Sequence, residues 1–412
     1  MELDLGDPSL LLSDDVVADP RPLYDTLRRR APVWHLPGQD SYLVSDPALI
    51  REVVGRPREF SSNLVSLLHR DASGCPVAFP VAPFGDPIHV LATADPPVHT
   101  RHRKLLQPHL NAAAVAQLEP TLRQVVDAQV APMLTAGRAD IVASLSDPLP
   151  AAAICYLIGL SPDDAARLVP LVAGMSPLLD GVTDPDGMSR AVMATLALID
   201  YVQTRLDSVP NRPSTDRSGL LVVLVDAIDS GVLSADEARN ILVQLFSAGT
   251  ETTSSLIANA IETLARQSDL QDRLRQHPEE IPEVLETILR DDGPFQFHYR
   301  WTTTDTILGG MRIPANSRVL LLWAAANRPS PRDSGNVSQD LDAAGPGSHY
   351  AFGRGLHFCI GAPLARIESR IAIERLLAQT SRFSLDPDHP PVRRRSIFLR
   401  RHAGLPVILE KA

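Results

Sequence analysis

Apolar residues recur three and four apart along most of the middle of the chain, from 98 to about 289. That period predicts a mainly helical half, with Pro132, Pro148, Pro162 and Pro170 at breaks or first turns. The longest unbroken stretch covers 235–267, and a helix of that length has to cross the whole molecule. The flanks read differently. Residues 1–60 are mixed: Asp19-Pro20-Arg21-Pro22-Leu23-Tyr24 leads into a short helix, and 41–44 is strand-like. Residues 61–98, rich in Pro, Gly and Ser, read as one long irregular loop, a length that usually serves function. Strand-like runs follow at 302–308, at 312–322 and near the C-terminus, and 329–347 reads as coil. Residues 362–377 return to helix. With no repeat and no dividing linker, the expectation is one domain over 1–412, mainly α with a small β region.

Composition narrows the classes. A length of 412 residues is ample for a large core. A net charge of −10 without a basic block argues against nucleic-acid binding. Cys75, Cys155 and Cys359 are too scattered for a disulfide framework or a zinc site. The first residues, Met-Glu-Leu-Asp-Leu-Gly-Asp, carry neither a basic start nor an apolar run, so a cytoplasmic protein without membrane contact is expected.

The most informative run is Phe352-Gly353-Arg354-Gly355-Leu356-His357-Phe358-Cys359-Ile360-Gly361. It is a loop that presents one sulfur and then enters a helix. The N–H groups and positive dipole end of that helix favour thiolate over thiol. Gly355 and Gly361 admit a flat ligand close to the backbone, and Phe352 and Phe358 are expected to shield the sulfur from water. Followed by Ala362-Pro363-Leu364-Ala365-Arg366, the string resembles the haem-thiolate loop of the cytochrome P450 family. The resemblance implies that family's triangular, mainly α prism. It also implies haem b with Cys359 as the iron ligand and Phe352, Gly353 and Gly361 beside the cofactor.

Two further segments match the same family in order and spacing. Within 235–267 stands Ala248-Gly249-Thr250-Glu251-Thr252-Thr253. Gly249 leaves room against the helix backbone, Thr252 can bond back to a carbonyl, and a carboxylate beside a hydroxyl makes a proton relay. By resemblance Ala248, Gly249, Glu251 and Thr252 form the oxygen-activation motif, with Glu251 passing protons from solvent to Thr252. In Asp95-Pro96-Pro97-Val98-His99-Thr100-Arg101-His102-Arg103, His99 and Arg103 lie one helical turn apart. By resemblance they meet the haem propionates together with Arg300 and His357.

One motif departs. The family's Glu-x-x-Arg appears as Glu286-Thr287-Ile288-Leu289-Arg290, with Thr287 at the acid position. The usual coil arginine is replaced by Ala343, with Asp333, Asn336 and Gln339 nearby. Arg290 is therefore expected to bond coil carbonyls or Glu286 at i,i+4.

The implied activity is oxidation of a small organic substrate by dioxygen: hydroxylation by default, with related tailoring, including oxidative decarboxylation, dependent on pose. Candidate pocket residues are Leu64, Leu67 and Phe84 from the loop, Val243, Gln244 and Ser247 from the long helix, Phe295, Gln296 and His298, and the late turn Ile397-Phe398. Gln244, Gln296 and His298 point to amide or carboxylate groups on a secondary metabolite; a fatty acid, terpene or steroid is the alternative. A haem-binding helper acting through a partner enzyme is a further alternative. A haem sensor fits poorly, because a thiolate favours O–O cleavage. The expected electron donors are a ferredoxin and its NAD(P)H-dependent reductase, docking on Arg101, Lys104, Arg354 and Arg366.

Overall fold

The structure is a computed structural model that describes residues 3–81, 87–211, 219–328 and 349–412. Its central element is the helix Ala235–Arg266, about 48 Å long at 1.5 Å per residue. Ser234 and Glu237 start it with a capping box. From Thr253 to Ile261 every residue is buried, so this stretch runs through the core and not along its surface. Buried polar groups there are paired: Ser255 Oγ donates to the Glu251 carbonyl at 2.7 Å, and Asn259 Nδ2 donates to the Asp292 carbonyl at 2.8 Å.

The helices packed on this axis include Pro148–Ile158, Asp164–Met175, Pro185–Ser208, Ile281–Asp292 and Ala362–Gln379. Gly249 marks the tightest approach. A Cβ there would stand 2.6 Å from Ile154 Cδ1, so the glycine sets how closely Pro148–Ile158 can lie against the long helix.

The β region is larger than the run at 302–308 and 312–322 suggests, and it is divided differently. A five-stranded sheet has the order Val33–His35, Ser41–Val44, Arg318–Leu321, His298–Thr302, Phe60–Ser61. Thr306–Leu308 and Met311–Ile313 form a separate hairpin. The loop 61–98 is not irregular throughout: Ser66–Arg70 pairs antiparallel with Pro76–Pro80. Leu67 and Leu68 are buried from this hairpin, which explains why an apolar pair sits in an otherwise loop-like composition.

Glu286 fastens the cysteine loop to the helix Ile281–Asp292. Its carboxylate receives Arg366 Nε at 2.6 Å and Nη2 at 2.8 Å, and His349 Nε2 lies 3.0 Å away. Glu286 thus holds Arg366 and His349, while Arg290 Nε donates to Asp291 at 2.8 Å; the coil carbonyls expected for Arg290 lie outside the described residues. Thr287 turns back on its own helix, its Oγ1 donating to the Glu283 carbonyl at 3.1 Å. Ala343, Asp333, Asn336 and Gln339 lie outside the described residues. The acid one position early thus reaches His349 at the start of the cysteine loop and Arg366 on the helix after it, gripping the loop from both ends.

Arg366 and His349 hold the Glu286 carboxyl at about 2, below its ordinary 4.5, against the opposing effect of burial. A depressed carboxyl stabilises the fold fully above its unfolded value and loses that contribution as pH falls through the folded one. Replacing Glu286 by Gln is expected to cost about 2 kcal/mol, less than a fully buried pair because Arg366 is partly exposed. Urea unfolding at pH 7 checks this, and the difference from wild type should shrink between pH 4.5 and about 2.

Candidate active site

The local backbone of 352–361 explains two of its glycines. Gly353 and Gly355 sit at φ +70° and +71°, in the left-handed region that side chains rarely adopt. Gly361 has ordinary φ, and a Cβ there would be in ordinary contact with Cys359 Sγ at 3.9 Å, so neither strain nor a clash in the chain itself requires this glycine. The Cys359 N–H donates to the Phe352 carbonyl at 2.9 Å and closes the loop. Burial pushes the Cys359 thiol up; N–H bonds from Gly361 and Ala362 and the charges of Arg103 and Arg366 oppose it. These are the groups that hold a sulfur anion at a helix start.

The two phenylalanines do different things. Phe352 packs against the core, with the Arg366 guanidinium 4.5 Å from its ring centroid. Phe358 is 40% exposed and Leu356 45%, and the Phe358 ring centre lies 6.3 Å from that of Phe352.

His357 of this loop joins a cluster of donors with His99, Arg103 and Arg300. Arg300 is buried, and its Nη1 donates to the Tyr299 carbonyl at 2.8 Å. Among the described residues no carboxylate lies within salt-bridge distance of it, and burial pulls its pKa down to about 10. The His99 and His357 rings stand 4.2 Å apart, and each has an Nδ1 that is sealed and without a partner. His357 Nε2 is 2.9 Å from Ser62 Oγ, in a segment held by the Asp95 carboxylate through Ser61 Oγ and the Ser62 N–H. Arg103 Nη1 donates to the Phe358 carbonyl at 2.6 Å and to that of Leu356 at 3.4 Å. A buried guanidinium without an acid and two orphaned imidazole nitrogens fit a ligand that brings carboxylates.

On the long helix, Thr252 Oγ1 donates to the Ala248 carbonyl at 2.6 Å, the back-bond expected of it. Ala248 is exposed between the buried Phe246 and Thr250, so the helix presents a small side chain to open space there. Glu251 departs from the simple relay to solvent. It is buried and bonded to Arg401 Nη1, with Arg394 Nη1 4.0 Å away. Arg401 Nη2 also donates to both Asp147 carboxylate oxygens, each at 2.9 Å. Burial pushes the Glu251 carboxyl up, against the pull of Arg401, Ser176 and Arg394. One guanidinium shared between two carboxylates leaves Glu251 disposed to take a proton. Arg401 and Asp147 were missed in the sequence. The arginine-dense segment 393–401 was their one signal, without a period or motif to give it a partner.

The candidate pocket residues divide. Phe295, His298 and Phe398 come together: Phe295 lies 4.4 Å from His298 and 4.6 Å from Phe398, ring centre to ring centre. Leu64, Val243 and Ser247 are half-buried, and Leu67 and Ile397 are buried. Gln296 is structural and not a free recognition group. It is buried, accepts Tyr24 Oη–H at 3.1 Å and donates to the Gly293 carbonyl at 3.0 Å. Gln244 Oε1 accepts the Ala92 N–H at 3.0 Å. Phe84 lies outside the described residues. Of the expected docking cations, Arg101 is bonded to Glu237 and Arg366 to Glu286; Lys104 is exposed and Arg354 stacks on Tyr350 at 5.1 Å.

No helix among the described residues is long and apolar enough to cross a membrane. A sequence model described as Cytochrome P450 matches residues 186–292. The chain is 36% identical over 375 residues to "Cytochrome P450 144" of Mycobacterium tuberculosis, covering 91% of this chain and 86% of that one. It is 35% identical over 393 residues to "Cytochrome P450 monooxygenase PikC" of Streptomyces venezuelae, covering 93% and 88%. The solved structure of "the cytochrome P450 enzyme CxnD for C-S bond formation in chuangxinmycin biosynthesis" superposes with a TM-score of 0.81 at 28% identity, over 96% of this chain and 95% of that one. A cysteine at a helix start and buried donors without an acid near it, in a fold and sequence shared across nearly the whole chain with relatives 36% and 35% identical, show that this protein belongs to the cytochrome P450 family.

Proposed function

We propose that this haem-thiolate monooxygenase oxidises a small organic molecule of secondary metabolism, hydroxylation being the default outcome. The observation that carries the reading is the buried Arg300, with no carboxylate among the described residues in salt-bridge distance, together with the orphaned nitrogens of His99 and of His357 in the Cys359 loop. In the proposal Cys359 ligates the iron of haem b, and Arg300, Arg103, His99 and His357 hold its propionates. When bound, haem supplies the activation of dioxygen. The overall change inserts one oxygen atom into a substrate C–H bond and reduces the other to water, using two external electrons and two protons.

The chain's own residues supply position, exclusion of water and protons. Thr252, whose hydroxyl bonds back to the Ala248 carbonyl, would serve as the alcohol of the proton relay. Glu251 is the proton carrier behind it, gated by Arg401: while that ion pair holds, the carboxylate is kept in the interior, and release from it lets the acid recharge. Asp147 is the acid that keeps Arg401 in place. Electrons come from a separate small ferredoxin and its NAD(P)H-dependent reductase. The exposed Leu356 and Phe358 with Lys104 and Arg354 support docking on the outer side of the cysteine loop. Arg101 and Arg366, already neutralised by Glu237 and Glu286, contribute little there.

Replacing Cys359 by Ser should leave far-UV circular dichroism unchanged while removing the thiolate signature from the carbon monoxide difference spectrum of the reduced holoprotein. An unchanged spectrum would overturn the assignment of the ligand. The Glu251→Gln variant should turn over about 100-fold more slowly with an enlarged solvent isotope effect and unaltered substrate affinity; stopped-flow kinetics and Soret titration read both.

A further inference from the structure

The side chain of His298 carries a property that neither the family nor the expected pocket composition specifies. Trp323 Nε1 lies 2.8 Å from His298 Nδ1. An indole nitrogen only donates, so Nδ1 has to be the acceptor and the ring proton of the neutral imidazole is placed on Nε2. Burial pulls the imidazole down to about 3, so the ring is neutral across the physiological range. Nε2 itself has no hydrogen-bond partner among the described residues, and it is not among the sealed orphan atoms. The Nε2 atom therefore keeps some accessible surface.

Position limits what that N–H can serve. His298 and Arg300 are two apart on one strand, His298–Thr302, and so share a face; Tyr299 points the other way, its hydroxyl accepting the Leu68 N–H at 3.2 Å. The wall beside His298 is aromatic, built by Phe295 and, behind it, Phe398. The two propionates of haem are matched in charge by Arg300 and Arg103. Gln296 and Gln244 are engaged by protein partners. His298 is thus a polar pocket residue with a directed donor and no acceptor among the described residues.

We propose that His298, fixed as an Nε2–H donor by Trp323, recognises a carbonyl or carboxylate oxygen of the substrate beside the haem. This deepens the reading above and rests on it. A fixed donor in an aromatic wall selects by exclusion, since a substrate without the acceptor leaves the N–H dry and unpaired.

Iron-ligating azoles test this without knowledge of the natural substrate. Haem-loaded protein is titrated with 1-(4-ethylphenyl)imidazole and with the 2-, 3- and 4-acetylphenyl and matching ethylphenyl imidazoles, following the Soret band. At least one acetyl isomer should bind about tenfold tighter than its ethyl counterpart. That preference should vanish in His298→Phe and weaken in Trp323→Phe, where the tautomer is released. The ethyl probes and circular dichroism report loading and folding of each variant. If His298→Phe fails to load haem, the Trp323→Phe comparison decides. Absence of any acetyl preference, or its survival in the decisive variant, overturns the proposal. So does a variant that only releases haem faster to apomyoglobin, which would make His298 a propionate donor. Failure of the haem-thiolate reading is distinct: no azole would then shift the Soret band, and the carbon monoxide spectrum would lack its thiolate signature.

Discussion

A charge removed from water has to be met by an opposite charge or by aligned dipoles, and that cost organises this molecule around its cysteine loop. The sulfur of Cys359 is answered by N–H groups of Gly361 and Ala362 and by the fields of Arg103 and Arg366. Arg366 is in turn neutralised by Glu286. On the other side, Arg300 is buried with no acid supplied by the described chain. The fold therefore carries an unanswered cation beside two imidazoles with orphaned nitrogens, an arrangement that a dianionic cofactor completes and a purely structural role does not explain.

The same cost explains the departed Glu-x-x-Arg motif. Thr287 carries no charge and bonds back to its own helix, so no buried acid is left alone. Glu286, one position earlier on the helix, has His349 and Arg366 at the two ends of the cysteine loop as its partners. Glu251 follows a related logic. Placed in the core by the helix that carries it, the acid needs Arg401 to be tolerated there. That requirement turns a simple solvent relay into one that must exchange an ion pair before it can pass a proton.

The hydrophobic period alone located the long helix to within a residue, and the left-handed glycines and helix-start cysteine were legible because local geometry admits few other residues there. His99 and Arg103 were readable from a four-residue spacing, and Thr252 from its motif. What stayed hidden were the partners that are remote along the chain. Arg401 meets Glu251 across 150 residues, Arg328 meets Asp25 across 303, and Tyr24 satisfies Gln296 across 272. No period or motif encodes such a pairing. The hairpin Ser66–Arg70 with Pro76–Pro80 was obscured by its turn-rich composition, because strand pairing there is set by register with its neighbour and not by propensity.

By itself the sequence determined the local devices: a sulfur at a helix start, an alcohol able to open a helix, cations at ligand-holding spacing. Only the tertiary structure decided which polar groups were spent and which were free. Gln296 and Gln244 looked available and are engaged, whereas His298 was fixed in one tautomer by an indole 25 residues away. The physical reason is that a hydrogen-bonding group's chemistry depends on its partner, and partners are assigned by packing in space, which chain order does not record.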